Sequence, residues 1–382
     1  MTSDYLTNEQ LHAALTLRDL SDPTQGEHAM QRLLDDVVTA VAHDVGISLR
    51  THRPSPLTSV DDNYDNLGFS LDALTRDRRY SRYVSPTVML RSHTSAGIPA
   101  ILSGIATAQQ SGSTNSDDRD ALHVLPGLVY RRDAIDRMHV GEPHQVDLWR
   151  IARRAPLGID DLRRLAAIVV DAVLPGAEWR AVPSPHPYTV VGLQIDVRAH
   201  GQWLELAECG IVDPALLARQ KLTPSRWTGL ALGMGLDRAL MLRKGIDDIR
   251  LLRAEDPRIA EQMRDLEPWR PVSSLPPIRR DLSVVVNADA NAETLGDSVR
   301  TALGARACML ESVELLSVTN HDDLPESARR RLALAPGQVN ALLRVTLRPL
   351  TSTMTDAEAN EIRDEVYRAV HLGPVLELIS QV

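Results

Sequence analysis

Two runs of β-type residues, HVLPGLVYR (123–131) and HQVDLWRI (144–151), flank the polar segment RDAIDRMHVGEP (132–143). That arrangement fits two antiparallel strands joined by a long hairpin loop. Strand-like segments recur at TVVGLQIDVRA (189–199) and QWLELAECGIV (202–212), again close together along the chain. Helical spacing appears after Ser95, over 159–174 and in LGMGLDRALMLRKG (232–245). A hairpin-rich antiparallel sheet backed by helices is an α+β arrangement, distinct from an alternating βαβ one.

Upstream, apolar residues recur at helical spacing from about Leu6 to Val45, interrupted by the turn-forming SDPTQG (21–26), and predict two opening helices over residues 1–46. From Ile47 to about Val88 the pattern weakens, and RPSP and DDNYDNLG read as loops of the kind that carry function in α/β enzymes. Near Trp269 the composition changes. PWRPVSSLPP (268–277) is an extended, exposed linker by its chemistry, and places a boundary between a domain at 47–270 and one at 275–382. Beyond it the elements read strand (RDLSVVVNA), helix (AETLGDSVRTALG), strand (ACMLESVELLSV), strand (NALLRVTLRPL), helix (DAEANEIRDEVYRAVHLG) and strand (VLELIS). This β-α-β-β-α-β series is the ferredoxin-like split order.

At 382 residues the chain is long enough for two or three domains, and 43% hydrophobic with 24% charged residues is the composition of an ordinary globular protein. No apolar run approaches a membrane span, and the opening MTSDYLTNEQ lacks the basic and apolar regions of a signal peptide, so a cytoplasmic protein is expected. Cys209 and Cys308 form neither a CxxC pair nor a zinc-type spacing. The net charge of -9 argues against holding nucleic acid by bulk electrostatics, and leaves a local basic groove open.

The segment most informative for chemistry is GLALGMGLDR (229–238), where glycines alternate with apolar residues and end in an acid-arginine pair. It reads either as a tight strand-to-helix packing joint or as a surface on which the backbone approaches a flat ligand while Arg238 reaches a phosphate. Arg131 stands where a strand end meets the hairpin loop, as a solvated residue or as a fork for phosphate oxygens. Across the loop, Gln145 and Asp147 share one face of the return strand, an amide and a carboxylate together that suit an ammonium group.

Four separated segments, DNYDNLGF (62–69), MLRSHTS (89–95), PGLVYRRDAIDRMHVGEPHQVD (126–147) and GLALGMGLDRALML (229–242), together resemble the single-chain phenylalanyl-tRNA synthetases in order and spacing. WLELAECGIVDP (203–214) and PPIRRDLSVVV (276–286) add further blocks. The resemblance implies a class II synthetase antiparallel sheet flanked by helices, with a ferredoxin-like anticodon-binding domain after it. It implies ATP and Mg2+ as cofactors and tRNA as partner. Arg131 and Arg238 would bind the ATP phosphates and be catalytic, with Asp133 and His139 near the nucleotide and Glu205 holding the metal. His93, Ser95, Gln145 and Asp147 would face the α-amino end of the amino acid. His186, Tyr188, Glu208, Leu230, Ala231 and Leu232 would line its side-chain pocket.

The departures fall on the amino-acid side. Phe69 is the single phenylalanine of the chain. Where the family has FAFG and FPF, this chain has Leu230-Ala231-Leu232 and His186-Pro187-Tyr188. Asp147 replaces a glutamate and Glu208 a glycine. Hydrogen-bonding groups in a pocket reject a substrate that cannot pair them, so His186, Tyr188 or Glu208 could exclude phenylalanine; the alternative is drift in a lineage that still uses it. The expected activity is ATP-dependent activation of phenylalanine or a related amino acid and its transfer to tRNA. A repurposed paralogue loading a non-tRNA acceptor, and a catalytically silent binding paralogue, are the alternatives. The C-terminal domain is acidic, with 11 arginines and no lysine from Arg279 onward against 15 Asp and Glu, a poor balance for holding tRNA. Monomer and homodimer are both open.

Overall fold

The strands of the hairpin stand second and third in a seven-stranded sheet. In the computed structural model the described residues are 5–111, 120–153, 156–272, 275–374 and 376. They divide into two units, the first comprising residues 1–131, 142–246 and 261–269, the second 132–141, 247–260 and 270–382.

The first unit contains α1 (Asn8–Thr16), α2 (Ala29–Val45), β1 (Ser48–Thr51), β2 (Leu57–Ser59), α3 (Val60–Asn63), β3 (Val88–Leu90), α4 (Ile98–Gln110), β4 (Asp120–Leu128), β5 (His144–Arg153), α5 (Ile159–Val173), β6 (Trp179–Pro183), β7 (Thr189–Ala199), β8 (Gln202–Val212), α6 (Pro214–Arg219), β9 (Trp227–Gly235) and α7 (Leu236–Lys244). The sheet order is β1-β4-β5-β9-β8-β7-β6. Every neighbouring pair is antiparallel except β1, which runs parallel to β4.

The described part of residues 1–46 groups with this unit. The reason lies in α2 and β1. Ala29, Met30, Leu33, Leu34, Val37, Val38 and Val41 form a buried stripe at helical spacing, and the helix packs on α5 and α7. Gln31 closes its N-terminal turn against His28, and Gly46 ends it in the left-handed region at φ 68°. The chain then enters β1, whose partner β4 lies about 70 residues further on; local hydrophobic periodicity cannot reveal so remote a partner.

Helices α2, α5 and α7 thus cover one face of the sheet. On the other, Ile98 and Leu102 of α4 and Leu216 and Leu217 of α6 pack with Leu125, Trp149, Ile151, Val212, Trp227 and Ala231. Lys244, at the end of α7, is 2% exposed, and its ammonium donates to the carbonyls of Asp265 (2.8 Å) and Glu267 (2.6 Å) and to the Asp265 carboxylate (3.1 Å).

The second unit contains α8 (Pro257–Ala260), β10 (Ile278–Asn287), α9 (Ala292–Leu303), β11 (Leu310–Asn320), α10 (Glu326–Leu332), β12 (Gln338–Leu347) and α11 (Asp356–Val370). Its sheet order is β10-β12-β11, antiparallel throughout. Leu282, Val284 and Val286 alternate inward from β10 to meet Val299 of α9 and Val366 of α11. The hairpin-loop residue Ile135 belongs to this core, and Arg300 donates to the carbonyls of Asp133 and Ala134. Helix α10, between β11 and β12, was not foreseen; it is short and carries three consecutive arginines, so it offers little apolar periodicity. The strand expected at VLELIS lies outside the described residues.

Candidate functional site

The HTS triplet is stitched to the end of β4 by its flanking backbone. The Arg91 guanidinium, 4% exposed, donates to the Leu128 carbonyl at 2.8 Å, and the Tyr130 amide donates to the Arg91 carbonyl at 2.9 Å. Arg131 completes the seam, its Nε donating to the Ser92 carbonyl at 2.7 Å. His93 lies in a nest of rings, stacked on Phe69 with centroids 5.5 Å apart and edge-on to Tyr64 at 6.3 Å. Burial, reinforced by the Arg131 charge, pushes its imidazole down to about 3. The Asn63 backbone opposes this shift. A neutral imidazole in such a place can serve a polar ligand.

The sheet register lines up the rest. Asp147 of β5 pairs with Gly233 of β9, and Gly233 pairs with Glu208 of β8. One row deeper, Trp149 pairs with Ala231 and Ala231 with Gly210. Toward the hairpin loop, Gln145 pairs with Gly235. The floor between the walls is bare. Among the described residues, the only atom within 4 Å of a Cβ built on Gly233 is Asp147 Oδ1 at 3.8 Å, and around Gly235 there is none.

Asp147 accepts from three neighbours on its own side. Its Oδ1 accepts from Ser95 Oγ at 2.8 Å and from Trp149 Nε1 at 3.1 Å, while Oδ2 accepts from Thr94 Oγ1. Burial outweighs these donors, and the carboxyl is raised above its usual range. Gln145 Oε1 accepts from the Thr94 amide at 3.3 Å. The Tyr188 ring stands over this row, 5.5 Å from Trp149, 6.4 Å from Phe69 and 6.0 Å from His186; burial pushes its phenol up.

Across the floor β8 presents two acids. Glu208 Oε1 accepts from Ser184 Oγ at 3.1 Å. His186 Nε2 lies 2.9 Å from Oε2. His186 beside it holds the Glu208 carboxyl below its usual range, with Arg131 adding to the effect. Glu205 is shifted the other way, raised by burial and by Glu208, with Arg238 opposing. Arg131, just beyond β4, and Arg238, in α7, thus each bring positive charge toward one acid of β8. A carboxylate crowded by a second one is eased by a divalent cation, and Glu205 suits one protein ligand of Mg2+ completed by phosphate oxygens and water. Among the described residues no cluster of three or more His, Cys, Asp or Glu is arranged as a cage of its own.

The remaining expected residues are placed as follows. Leu230 and Leu232 pair with Arg150 and Leu148, alternating to the face opposite Ala231, where Leu230 lines a groove with Val41 and Leu165. Period two in β9 decides this: only every second residue of the run can face the site. Asp133 and His139 belong to the second unit, where His139 Nδ1 lies 2.8 Å from Asp136. A cavity of about 540 Å3 opens beside α4, lined among others by Arg50, His52, Ile101, His123 and Arg153, and shares none of the expected residues. Sequence reasoning passed over Thr94, Trp149, Ser184 and Gly233. The signal for Trp149 was present, since it lies two residues beyond Asp147 and so on the same strand face.

Residues 5–263 match the family described as tRNA synthetases class II core domain (F). The phenylalanine--tRNA ligase alpha subunit of Prochlorococcus marinus (strain MIT 9313) is 35% identical over 200 residues, 52% of this chain and 56% of the relative. That of Nostoc punctiforme is 32% identical over the same shares of the two chains. A probable mitochondrial phenylalanine--tRNA ligase of Drosophila melanogaster is 25% identical over 373 residues, 82% of this chain and 76% of the relative. The chain thus spans just over half the length of the bacterial relatives. Among the described residues no helix is long and apolar enough to cross a membrane.

Proposed function

The chain belongs to the class II tRNA synthetase core family (F), and from that premise we propose that it activates an amino acid with ATP and transfers it to tRNA. A carboxylate oxygen of the amino acid attacks the α-phosphorus of ATP. The bond from that phosphorus to the bridging oxygen breaks, pyrophosphate leaves, and an aminoacyl-adenylate remains. A ribose hydroxyl of tRNA then takes the acyl group and AMP departs.

No protein nucleophile is required. Arg131 and Arg238 hold the triphosphate and neutralise the charge that grows on the phosphorus oxygens. Mg2+, bound through Glu205 and the phosphates, would supply further charge neutralisation. Gln145, His93 and the HTS hydroxyls orient the α-amino end, with Asp147 as the carboxylate beneath them. The observation that carries this reading is the bare glycine floor of β9, flanked by Gln145 and Asp147 on one strand and by Glu208 on the other, with Arg131 and Arg238 lending positive charge to the acids of β8. The substrate we propose is a relative of phenylalanine, and the three-stranded C-terminal unit is a ferredoxin-like module of the anticodon-binding type.

ATP-pyrophosphate exchange across the standard amino acids and substituted phenylalanines tests the first step, and charging of bulk tRNA tests the second. The acidic balance of the C-terminal unit favours one second reading, in which activation is kept and the acceptor is not tRNA. Exchange without charging would select it.

A further inference from the structure

The row Asp147, Gly233, Glu208 spans two strand spacings, roughly 9–10 Å between the outer Cα atoms. The two carboxylates at its ends differ in their surroundings. Asp147 is 1% exposed and enclosed by three neutral donors. The Glu208 side chain is 41% exposed, and its two close neighbours, Ser184 and His186, leave part of its acceptor capacity unfilled. It is the accessible carboxylate that looks onto the bare floor.

We infer that Glu208 is a specificity-determining residue, and that the amino acid activated here carries a hydrogen-bond donor or cationic nitrogen on its side chain. The inference rests on the activation reading above and names the substrate class of that site. Gln145 and Asp147, two strands away beside the HTS triplet, serve the α-amino end. Whatever extends from the α-carbon over Gly233 meets Glu208. A plain hydrocarbon ring there strips water from an ionised carboxylate and returns nothing, whereas an N–H group replaces that water. The surrounding Tyr188, Trp149 and Phe69 rings fit a substrate with a planar or apolar stem below that nitrogen.

The test is ATP-pyrophosphate exchange by the full chain with L-phenylalanine, L-tyrosine, 4-amino-L-phenylalanine and 4-aminomethyl-L-phenylalanine, in the wild type and in Glu208→Gln and Glu208→Gly. The wild type is expected to favour an aminated analogue over phenylalanine by roughly 100-fold or more in kcat/KM. Glu208→Gln should cut that ratio to below about tenfold, and Glu208→Gly should raise turnover of phenylalanine. A wild type that prefers phenylalanine, or a Glu208→Gln enzyme that keeps its preference, overturns the inference while leaving activation standing. No exchange with any of these or the standard amino acids, from a chain with native circular dichroism, overturns activation and the inference together. Binding of the aminoacyl-sulfamoyl adenosines of phenylalanine and 4-aminophenylalanine to Glu208→Gln gives the same comparison without turnover.

Discussion

His144 Nδ1 and Asp237 Oδ1 lie 3.1 Å apart, joining the first residue of β5 to the second residue of α7. The Leu20 amide donates to His144 Nε2 at 2.9 Å, which leaves Nδ1 as the ring nitrogen that carries the proton. The His144 amide also donates to Asp237 Oδ2, at 2.5 Å. This buried contact fixes the return strand of the hairpin against the helix that carries Arg238. Asp237→Ala leaves a buried amide and an imidazole N–H unpaired, at about 1–3 kcal/mol each. We expect a lowered urea midpoint for Asp237→Ala. In the folded fraction, exchange should fall through kcat more than through the KM for ATP.

Trp149 plays the corresponding part inside the site. Trp149→Phe keeps most of the buried volume and removes the indole donor to Asp147, leaving a carboxylate that burial already disfavours with one partner fewer. The expected cost is about 1–3 kcal/mol in chemical denaturation. Trp149→Leu also opens a cavity in the cluster with Leu125 and Ile151, and should cost more, toward about 3 kcal/mol or above. If both variants denature like the wild type, the lock on Asp147 carries no stability.

The hairpin, β7 with β8, and the run into α7 were legible because each is a local pattern with a period of two or 3.6. The same period puts Gln145 and Asp147 on one face of β5, and Leu230 and Leu232 on the face of β9 opposite Ala231. What the sequence could not show is cross-strand register. Nothing in 203–214 or 229–238 alone sets Glu208 opposite Gly233, because that pairing follows from how β8 and β9 align across a connection holding α6. The membership of α2 and β1 was hidden for a similar reason, as β1 finds its partner far along the chain.

Gly233 and Gly192 make contrasting predictions. A Cβ at Gly233 meets nothing closer than Asp147 Oδ1 at 3.8 Å among the described residues, so Gly233→Ala should fold with an unchanged melting temperature while raising KM for the amino acid. A Cβ at Gly192 would stand 1.9 Å from the Ser184 carbonyl and 2.9 Å from His186 Nδ1. Gly192→Ala must therefore displace the segment that supplies both neighbours of Glu208, and should lower stability as well as change substrate preference. Melting curves beside exchange kinetics separate the two cases.

His123, 4% exposed and 3.1 Å from His52, is pushed down to about 4 by burial, with His52 and Arg50 adding to it. The unfolded chain takes up this proton near pH 6.5, and the native state not until near pH 4. Stability is therefore complete above about pH 6.5 and falls with pH through the window down to 4, by about 1.4 kcal/mol per unit for this group. His93, held at about 3, acts in the same direction. Urea midpoints at pH 7, 6 and 5 should fall, and His123→Gln should flatten part of that slope. A midpoint independent of pH over this range would contradict neutral burial of both rings.

The two arginines differ in how cleanly they can be tested. Arg131 has a structural task, since its Nε supports the Ser92 carbonyl at 2.7 Å and with it the backbone entering His93. Arg131→Ala should thus lose about 1 kcal/mol of stability together with a phosphate ligand. The influence of Arg238 is on Glu205, which it draws down against burial and Glu208; Arg238→Ala should raise that carboxyl further and so weaken metal binding along with charge neutralisation. Loss of either is expected to reduce exchange by roughly 100-fold to 1,000-fold. Lysine in place of Arg238 keeps the charge and gives up the planar fork, so it should recover only part of that loss. Raising Mg2+ should rescue Arg238→Ala more than Arg131→Ala, because only the former disturbs the carboxylate proposed to hold the metal. Equal rescue of both, or of neither, would remove Glu205 from the metal site.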